Sequence, residues 1–159
     1  MALQMQAVFR FADHRDLPKL EWHGEYTHFR RVFQNAYEDQ QAGRGIFLGF
    51  LGRFDDFGRG GKRSYLYSLR VMDAFQRKGI GTALVREAER ILTERGFTAV
   101  SIAAAKDNPG ARRLYERLGY QVITEDAGRW HYTDHEGRTR QVIEPCWILE
   151  KSLRGRGLG

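Results

Sequence analysis

The chain has 159 residues, of which 42% are hydrophobic and 29% are charged, and it carries a net charge of +6 with a pI near 9.7. This composition excludes a disordered protein and fits one domain around a single core. The single cysteine, Cys146, excludes an internal disulfide, and no apolar run approaches the about 20 residues that a bilayer-spanning helix needs. We expect one domain over residues 1–151, a flexible basic tail over residues 152–159, and a cytoplasmic location.

The first part of the chain predicts a strand followed by two helices. β-prone residues favour a strand over residues 6–12. Asp16 is predicted to cap a short helix that has Pro18 near its first position. A second helix is predicted over residues 26–41, because five apolar residues have the spacing of one buried helix face. They are Phe29, Val32, Phe33, Ala36 and Tyr37.

The rest of the chain predicts strands and helices in alternation. The predicted strands cover residues 46–51, 64–72, 98–104 and 120–124, and the predicted helices cover residues 79–95 and 108–119. Residues 52–62 are predicted to form a polar, glycine-rich connection, residues 129–141 a hairpin or an excursion from the sheet, and residues 142–151 a last strand interrupted at Pro145. Asn108 and Pro109 are typical of a helix start, and Gly96 and Gly119 are typical of helix ends.

The segment over residues 76–82, with sequence QRKGIGT, lies between a predicted strand and the start of a predicted helix. The first turn of a helix has backbone N–H groups without partners and a positive dipole end. Gly79 and Gly81 let an anion approach that backbone, and Arg77 and Lys78 add positive charge beside it. The pattern predicts a pyrophosphate site.

Two other phosphate motifs do not fit this segment. A P-loop has its lysine after the glycine, whereas Lys78 precedes Gly79. A dinucleotide-binding fingerprint requires a third glycine where this chain has Leu84. It also requires an acidic residue about 20 residues later, and no convincing candidate lies there.

The sequence resembles the GNAT superfamily of N-acetyltransferases on three segments. They are Leu69-Arg70-Val71, the family motif Gln/Arg-x-x-Gly-x-Gly/Ala at Gln76, Gly79 and Gly81, and Asn108 followed by Leu114-Tyr115-Glu116-Arg117-Leu118-Gly119-Tyr120. The resemblance implies an α/β (α+β) domain with a mixed, mostly antiparallel sheet of six to seven strands, helices on both faces and a splayed central strand pair. It also implies direct transfer of an acetyl group from acetyl-CoA, without a metal, to a primary amine of a small molecule or a protein N-terminus, by a monomer or homodimer.

The same resemblance assigns a cofactor site. Its residues are Leu69, Val71, Gln76, Arg77, Lys78, Gly79, Ile80, Gly81, Thr82 and Asn108. Backbone groups of Leu69 and Val71 are expected to pair with the pantetheine arm, and the N–H of Val71 to stabilise the oxyanion. For Asn108 the alternative is a helix N-cap. Tyr115 matches the tyrosine that many relatives use as a general acid, and its alternative is an aromatic residue on a buried helix face.

On the acceptor side, Trp22, Glu25 and Tyr26 lie where relatives wall the acceptor pocket. An amine with a pKa of about 10.4 must lose a proton before it attacks, so a base is needed. The strand over residues 64–72 lacks the glutamate that some relatives use, so the base is left open. The candidates are Glu21, Glu25, Asp55, Asp56 and Glu144.

Other interpretations stay open at this point. The missing strand carboxylate is compatible with a coenzyme A sensor that does not turn over. The basic loop over residues 53–63 and the net charge are compatible with nucleic-acid binding, although that interpretation does not explain the glycine loop. The five histidines have no known metal-ligand spacing, and Cys146 reads as a small buried side chain.

Overall fold

The computed structural model of the chain describes residues 10–43, 45–47, 51–53, 63–67, 69, 77 and 79–153. Several predictions lie outside the described residues: the first part of the strand over 6–12, most of the basic loop over 53–63, and residues 154–159 of the tail. So do the site candidates Asp55, Asp56, Val71, Gln76 and Lys78.

The elements alternate along the chain as the sequence predicts. The α-helices are α1 (Arg30–Gln41), α2 (Ile80–Glu94) and α3 (Pro109–Arg117), and 3-10 helices at His14–Gly24 and Thr27–Phe29 precede α1. The strands are β1 (Gly45–Phe47), β2 (Leu51–Arg53), β3 (Arg63–Tyr67), β4 (Ala99–Ala105), β5 (Gln121–Asp126), β6 (Arg129–Thr133), β7 (Thr139–Ile143) and β8 (Cys146–Ser152).

Among the described residues, six strands form one sheet in the order β1-β2-β3-β4-β8-β5, and β6 and β7 form a separate antiparallel hairpin. Within the described part of the sheet, β3 and β4 pair in parallel and the other neighbours pair antiparallel. The predicted mixed, mostly antiparallel sheet is therefore confirmed. Because α2 connects β3 to β4 and α3 follows β4, both helices begin at the carboxyl ends of the two parallel strands.

The main core joins α2 and α3 to one face of the sheet. Its buried residues include Leu84, Val85, Ala88 and Leu92 of α2, Tyr115 of α3, Val100, Ile102 and Ala104 of β4, and Leu149 of β8. Residues 99–102 are buried on both faces of β4, so the sheet is covered on both sides at this point. A smaller cluster forms around Phe33 and Ala36 of α1, with Phe29, Val32 and Tyr37 packed against it. This confirms the buried face predicted for the second helix.

A buried ion pair crosses the core between α2 and β8. The Lys151 Nζ lies 2.8 Å from Glu89 Oε1 and 3.0 Å from Glu89 Oε2, and both residues are 5% exposed. The ammonium also donates to the carbonyl oxygen of Leu118 at 2.6 Å, and the Tyr120 hydroxyl donates to Glu89 Oε2 at 3.1 Å. The charges are thus compensated where water does not reach them.

The start of the chain differs from the prediction. Residues 10–12 do not form a strand, and Asp13 rather than Asp16 caps the first helix. The Asp13 Oδ1 accepts the N–H of Arg15 at 2.9 Å, and the side chain of Asp16 accepts the N–H of Asp13 at 2.8 Å. Asp13 and Asp16 therefore form a capping box, in which Asp13 is the cap and Asp16, three residues later, accepts the N–H of the cap residue. The sequence pattern alone predicts Asp16 as the cap.

Two predicted strands also have different bounds. The strand predicted over residues 46–51 is two short antiparallel strands, β1 and β2, in which Gly45 pairs with Arg53. The last strand begins at Cys146 rather than Val142, because Val142 pairs with Trp130 in the hairpin. At its end, Ser152 still belongs to β8, and Leu153 is buried and donates its N–H to the carbonyl oxygen of Thr98 at 2.9 Å.

Candidate active site

The described pairing of β3 with β4 covers only the first part of β4. In the described part of the chain, the parallel ladder ends at the pair Leu66 and Ile102. Strand β4 continues to Ala105, where its partner is Cys146 of β8. Leu69 follows β3 and packs, half-buried, against the main core. In the described part of the chain, residues 103–105 of β4 have partners on β8 and none on β3.

The backbone before α2 is unusual. Arg77 has a φ of 63° and Gly79 has a φ of 76°, so both lie in the left-handed region. For arginine this conformation costs about 1–2 kcal/mol, and strain of this kind concentrates at functional sites. A Cβ added at Gly79 would meet no atom within 4 Å, so the backbone conformation and not lack of space requires glycine here.

The first turn of α2 is suited to an anion. The N-cap residue Gly79 has no side chain to cap this helix, and the first helical turn contains no acidic residue. The first backbone bond into it joins the N–H of Ala83 to the carbonyl oxygen of Gly79 at 3.0 Å. The N–H groups of Ile80, Gly81 and Thr82 precede that bond and have no intrahelical acceptor. The helix dipole and the exposed Arg77 favour negative charge at the same place.

Asn108 begins the second helix at this edge. Its Oδ1 accepts the N–H of Ala111 at 3.2 Å, with Pro109 in the first turn. The helix-cap alternative for Asn108 is therefore confirmed. The side chain is exposed, and its amide NH₂ stays available for a ligand at the same sheet edge.

Tyr115 lies on the buried face of α3 and is 6% exposed. Its ring centroid lies 6.2 Å from that of Tyr120. Burial raises the pKa of the Tyr115 phenol to about 12. The hydroxyl has no hydrogen-bond partner among the described residues, so no described protein group fixes its proton in another direction.

The acceptor-side segment has a strained backbone. Trp22, His23 and Gly24 have φ values of 45°, 59° and 103°, three left-handed residues in succession. They interrupt the first 3-10 helix and place Glu25 after its end. The ring of Trp22 meets that of Tyr26 edge to face at 5.0 Å. Two consecutive residues other than glycine in this conformation are uncommon, and each is energetically unfavourable.

The hairpin of β6 and β7 completes an aromatic cluster with this segment. Phe29 lies at its centre, with ring centroids 4.8 Å from Tyr132, 6.3 Å from Trp130 and 6.1 Å from Tyr26. Trp130 is 40% exposed. The sequence predicted the hairpin but not its position beside Tyr26. The alternation of Trp130 and Tyr132 with polar residues was the available signal, since it gives one aromatic strand face.

A buried aspartate organises the turn of this hairpin. Asp134 is 1% exposed, and its Oδ1 accepts the N–H groups of Glu136 and Arg138, each at 2.9 Å, while its Oδ2 accepts Arg140 Nε at 2.9 Å. Burial by itself raises the pKa of Asp134, but these donors outweigh burial and hold the pKa well below its usual range.

The base candidates differ in their environment. Glu21 forms two bonds of 2.9 Å with the guanidinium of Arg30, which lowers its pKa and ties up the carboxylate. Glu25 is exposed and has no ion pair among the described residues. Glu144 is also exposed and donates its backbone N–H to the carbonyl oxygen of Gly128 at 3.0 Å. Glu25 is thus the candidate next to Trp22 and Tyr26 whose carboxylate has no ion pair with another described residue.

Cys146 and the histidines do not form a reactive or metal site in the described part of the chain. Cys146 is buried, and burial raises the pKa of its thiol, which fits the prediction of a core residue. In the described part of the chain, no three His, Cys, Asp or Glu side chains come together as a metal site. No described helix is long and apolar enough to cross a membrane.

Comparison with known proteins identifies the family. The profile of the acetyltransferase (GNAT) family matches residues 3–120. The chain belongs to this family. The match includes the loop before α2, Asn108 and Tyr115, and it confirms the resemblance that these residues carry.

Two curated relatives are similar to part of this GNAT chain. Thialysine N-epsilon-acetyltransferase from Bos taurus is 30% identical over 83 residues, and the protein of that name from Mus musculus is 31% identical over 83 residues. In both cases the match covers 52% of this chain and 48% of the relative. The chain therefore spans about half the length of the curated relatives it matches.

Solved structures share the fold over nearly the whole chain. Arabidopsis thaliana NAA60 in complex with acetyl-CoA has a TM-score of 0.68 at 18% identity, covering 93% of this chain and 99% of that one. The ribosomal-protein-S18-alanine N-acetyltransferase from Escherichia coli has a TM-score of 0.63 at 20% identity, covering 96% and 98%. The structure of yncA from Salmonella typhimurium with acetyl-CoA has a TM-score of 0.66 at 16% identity, covering 96% of each chain.

Proposed function

We propose that this GNAT chain transfers the acetyl group of acetyl-CoA directly to a primary amine of a small molecule or a protein N-terminus. The observation that carries the proposal is the start of α2, where Arg77 and Gly79 adopt left-handed conformations before an uncapped helix N-terminus. That arrangement suits the pyrophosphate of the coenzyme, because backbone donors, helix dipole and arginine all favour negative charge.

The proposed cofactor site follows the sheet edge. The N–H groups of Ile80, Gly81 and Thr82, with Arg77 and the neighbouring Gln76 and Lys78, bind the pyrophosphate. Backbone groups of Leu69 and Val71 hold the pantetheine arm beside residues 103–105 of β4. Asn108 contributes its amide NH₂ while its oxygen caps α3. When bound, acetyl-CoA supplies an acetyl group activated as a thioester.

We assign to Tyr115 the donation of a hydrogen bond to the leaving sulfur. A phenol with a pKa of about 12 keeps its proton throughout the neutral range, so Tyr115 acts as a donor and not as a base. A thiol ordinarily has a pKa of about 8.5, so the phenol is the weaker acid. Tyr115 therefore stabilises developing negative charge mainly through this hydrogen bond rather than by complete proton transfer before the bond breaks.

For the acceptor we propose the region bounded by Trp22, Glu25 and Tyr26 on one side and by Trp130 and Tyr132 on the other. The half-buried rings of Trp22, Tyr26 and Tyr132 and the more exposed ring of Trp130 provide apolar surface around the amine, and a less polar surrounding favours its neutral form. Glu25 is the proposed proton acceptor, directly or through water, because its carboxylate is exposed and not engaged by a described cation. The side chains that bound this region determine which amine is accepted.

The first test is thermal unfolding with and without acetyl-CoA. At about 100 times the dissociation constant, ligand linkage predicts about 2.7 kcal/mol of stabilisation, which raises the melting temperature by roughly 5–10 °C in a chain of this size. Thiol release in the presence of a panel of amines and short peptides then measures turnover.

The outcomes separate the competing functions. Stabilisation together with amine-dependent thiol release supports the acetyltransferase. Stabilisation without turnover on any acceptor supports the coenzyme A sensor. No stabilisation at high ligand concentration contradicts the cofactor site. Steep, salt-dependent binding to RNA in that case supports the nucleic-acid interpretation.

A further inference from the structure

The buried pair of Glu89 and Lys151 is part of a hydrogen-bond network that ends on the helix of Tyr115. The Lys151 ammonium donates to both carboxylate oxygens of Glu89 and to the carbonyl oxygen of Leu118 at 2.6 Å. The same carboxylate accepts the hydroxyl of Tyr120 at 3.1 Å. Residues from α2, from the end of α3 and from β8 are thereby joined at one point.

This point is close to Tyr115 along the backbone. The N–H of Tyr120 donates to the carbonyl oxygen of Tyr115 at 3.0 Å, and the N–H of Leu118 lies 3.0 Å from the same oxygen. Leu118 and Tyr120 are also the residues that bond to Lys151 and Glu89. The last turn of α3 is therefore fixed by two sets of hydrogen bonds, those of its own backbone and those to the buried pair.

Gly119 lies beside the network. Its φ of 97° lies in the left-handed region, which turns the chain from α3 into β5. A Cβ placed on it would lie 3.5 Å from Lys151 Cε and 3.8 Å from Lys151 Nζ, which are ordinary van der Waals distances. The positive φ, and not lack of space beside Lys151, therefore favours glycine at this position.

Charged residues at this site fix the positions of the atoms they bond, which apolar residues would not do. Apolar side chains of similar volume are often at least as stabilising as a buried ion pair, because they avoid the desolvation of two charges. Hydrogen bonds, unlike apolar contacts, fix the position of the atoms that they join. The bonded atoms here are those that end the helix of Tyr115.

We propose that Glu89 and Lys151 are positioning residues that fix the last turn of α3 and so direct the Tyr115 hydroxyl for acetyl transfer. The proposal rests on the proposed function, because it assigns to the pair an effect on Tyr115 during turnover. Neither residue contacts the reacting groups; both act through the orientation of the Tyr115 ring.

The test uses the variant Glu89→Leu/Lys151→Met, which replaces both charges and keeps an apolar core. A matched control is Arg90→Met/Glu94→Leu, which removes the exposed ion pairs of Arg90 with Glu94, at 2.7 Å, and with Glu87 from the same helix. We expect the first variant to lower kcat by about tenfold to a hundredfold, since small misplacements of a catalytic group have effects of this size. KM for acetyl-CoA should change less than about twofold, and the control should match the wild type.

Two further measurements separate positioning from general damage. In a Tyr115→Phe background, the same double substitution should cause no additional loss of kcat, because the hydroxyl that it positions is absent. In the free protein labelled with ¹³C-tyrosine, the Tyr115 signal is identified by its loss in Tyr115→Phe. We expect its phenol pKa to fall from about 12 toward the ordinary value of about 10 in the double variant, as water reaches the loosened ring.

An unchanged kcat, or an equal loss in the Tyr115→Phe background, overturns the positioning proposal while leaving the proposed function in place. If Tyr115→Phe itself turns over at the wild-type rate, the assignment of Tyr115 and this proposal are both wrong, although acetyl transfer stands. A wild-type protein that releases no thiol with any acceptor contradicts the proposed function itself, and the ¹³C titration of the free protein still decides whether the pair orders Tyr115.

Discussion

Removal of the Lys151 ammonium alone should destabilise the protein strongly. Lys151→Met leaves the Glu89 carboxylate buried without its cation and deprives the Leu118 carbonyl oxygen of a donor at 2.6 Å. Breaking a buried pair on one side costs about 3–5 kcal/mol, because a charge remains where water cannot solvate it. For a chain of this size, that loss lowers the melting temperature by roughly 6–20 °C.

Urea denaturation followed by circular dichroism measures this cost, with melting scans as a second readout. The double variant Glu89→Leu/Lys151→Met should be more stable than Lys151→Met, because no buried charge remains. Tyr120→Phe, which removes the hydroxyl bond of 3.1 Å to Glu89, should cost about 1 kcal/mol. A loss below about 1 kcal/mol for Lys151→Met, or a double variant less stable than this single one, would refute the reasoning.

Three further predictions concern single positions. Burial raises the pKa of Tyr115 to about 12, so its contribution to the free energy of unfolding is fully present below pH 10 and should fall by up to about 3 kcal/mol as the pH rises from about 10 to 12. Tyr115→Phe should flatten that part of a stability-versus-pH curve. The pKa of Asp134 is lowered, so its contribution is present above about pH 4 and lost as the pH falls below that value; acid titration of Asp134→Asn should lack this component. Gly79→Ala should cost about 1–2 kcal/mol, because its φ of 76° is unfavourable for alanine, and should weaken acetyl-CoA binding measured by calorimetry; unchanged affinity would remove Gly79 from the cofactor site.

The sequence by itself determined the elements that depend on local spacing. Apolar residues three and four apart located α1, α2 and α3, because a helix presents such residues on one face. Asn108 and Pro109 gave the start of α3, and Gly96 supplied the left-handed residue after α2, with a φ of 84°. The glycine loop and the segment around Tyr115 indicated the GNAT family, because such motifs consist of particular residues at fixed separations.

Local pattern was less informative where two segments compete for the same role. Asp13 and Asp16 are both suitable helix caps, and only the bonds that they exchange decide between them. Residues 142 and 143 continue the apolar pattern of β8 but pair with β6, since the hairpin register assigns them to another sheet. Strand bounds depend on the partner strand, which the sequence of one segment does not contain.

Only the tertiary structure brought distant residues together. Lys151 and Glu89 are 62 positions apart, and neither belongs to a recognisable motif, yet their side chains meet in the core. Trp130 and Tyr132 join Phe29 across about a hundred residues of chain and turn a predicted hairpin into one side of the proposed acceptor region. The physical reason is the same in both cases: sequence periodicity records which face of an element is buried, whereas the packing of whole elements decides which residues that face meets.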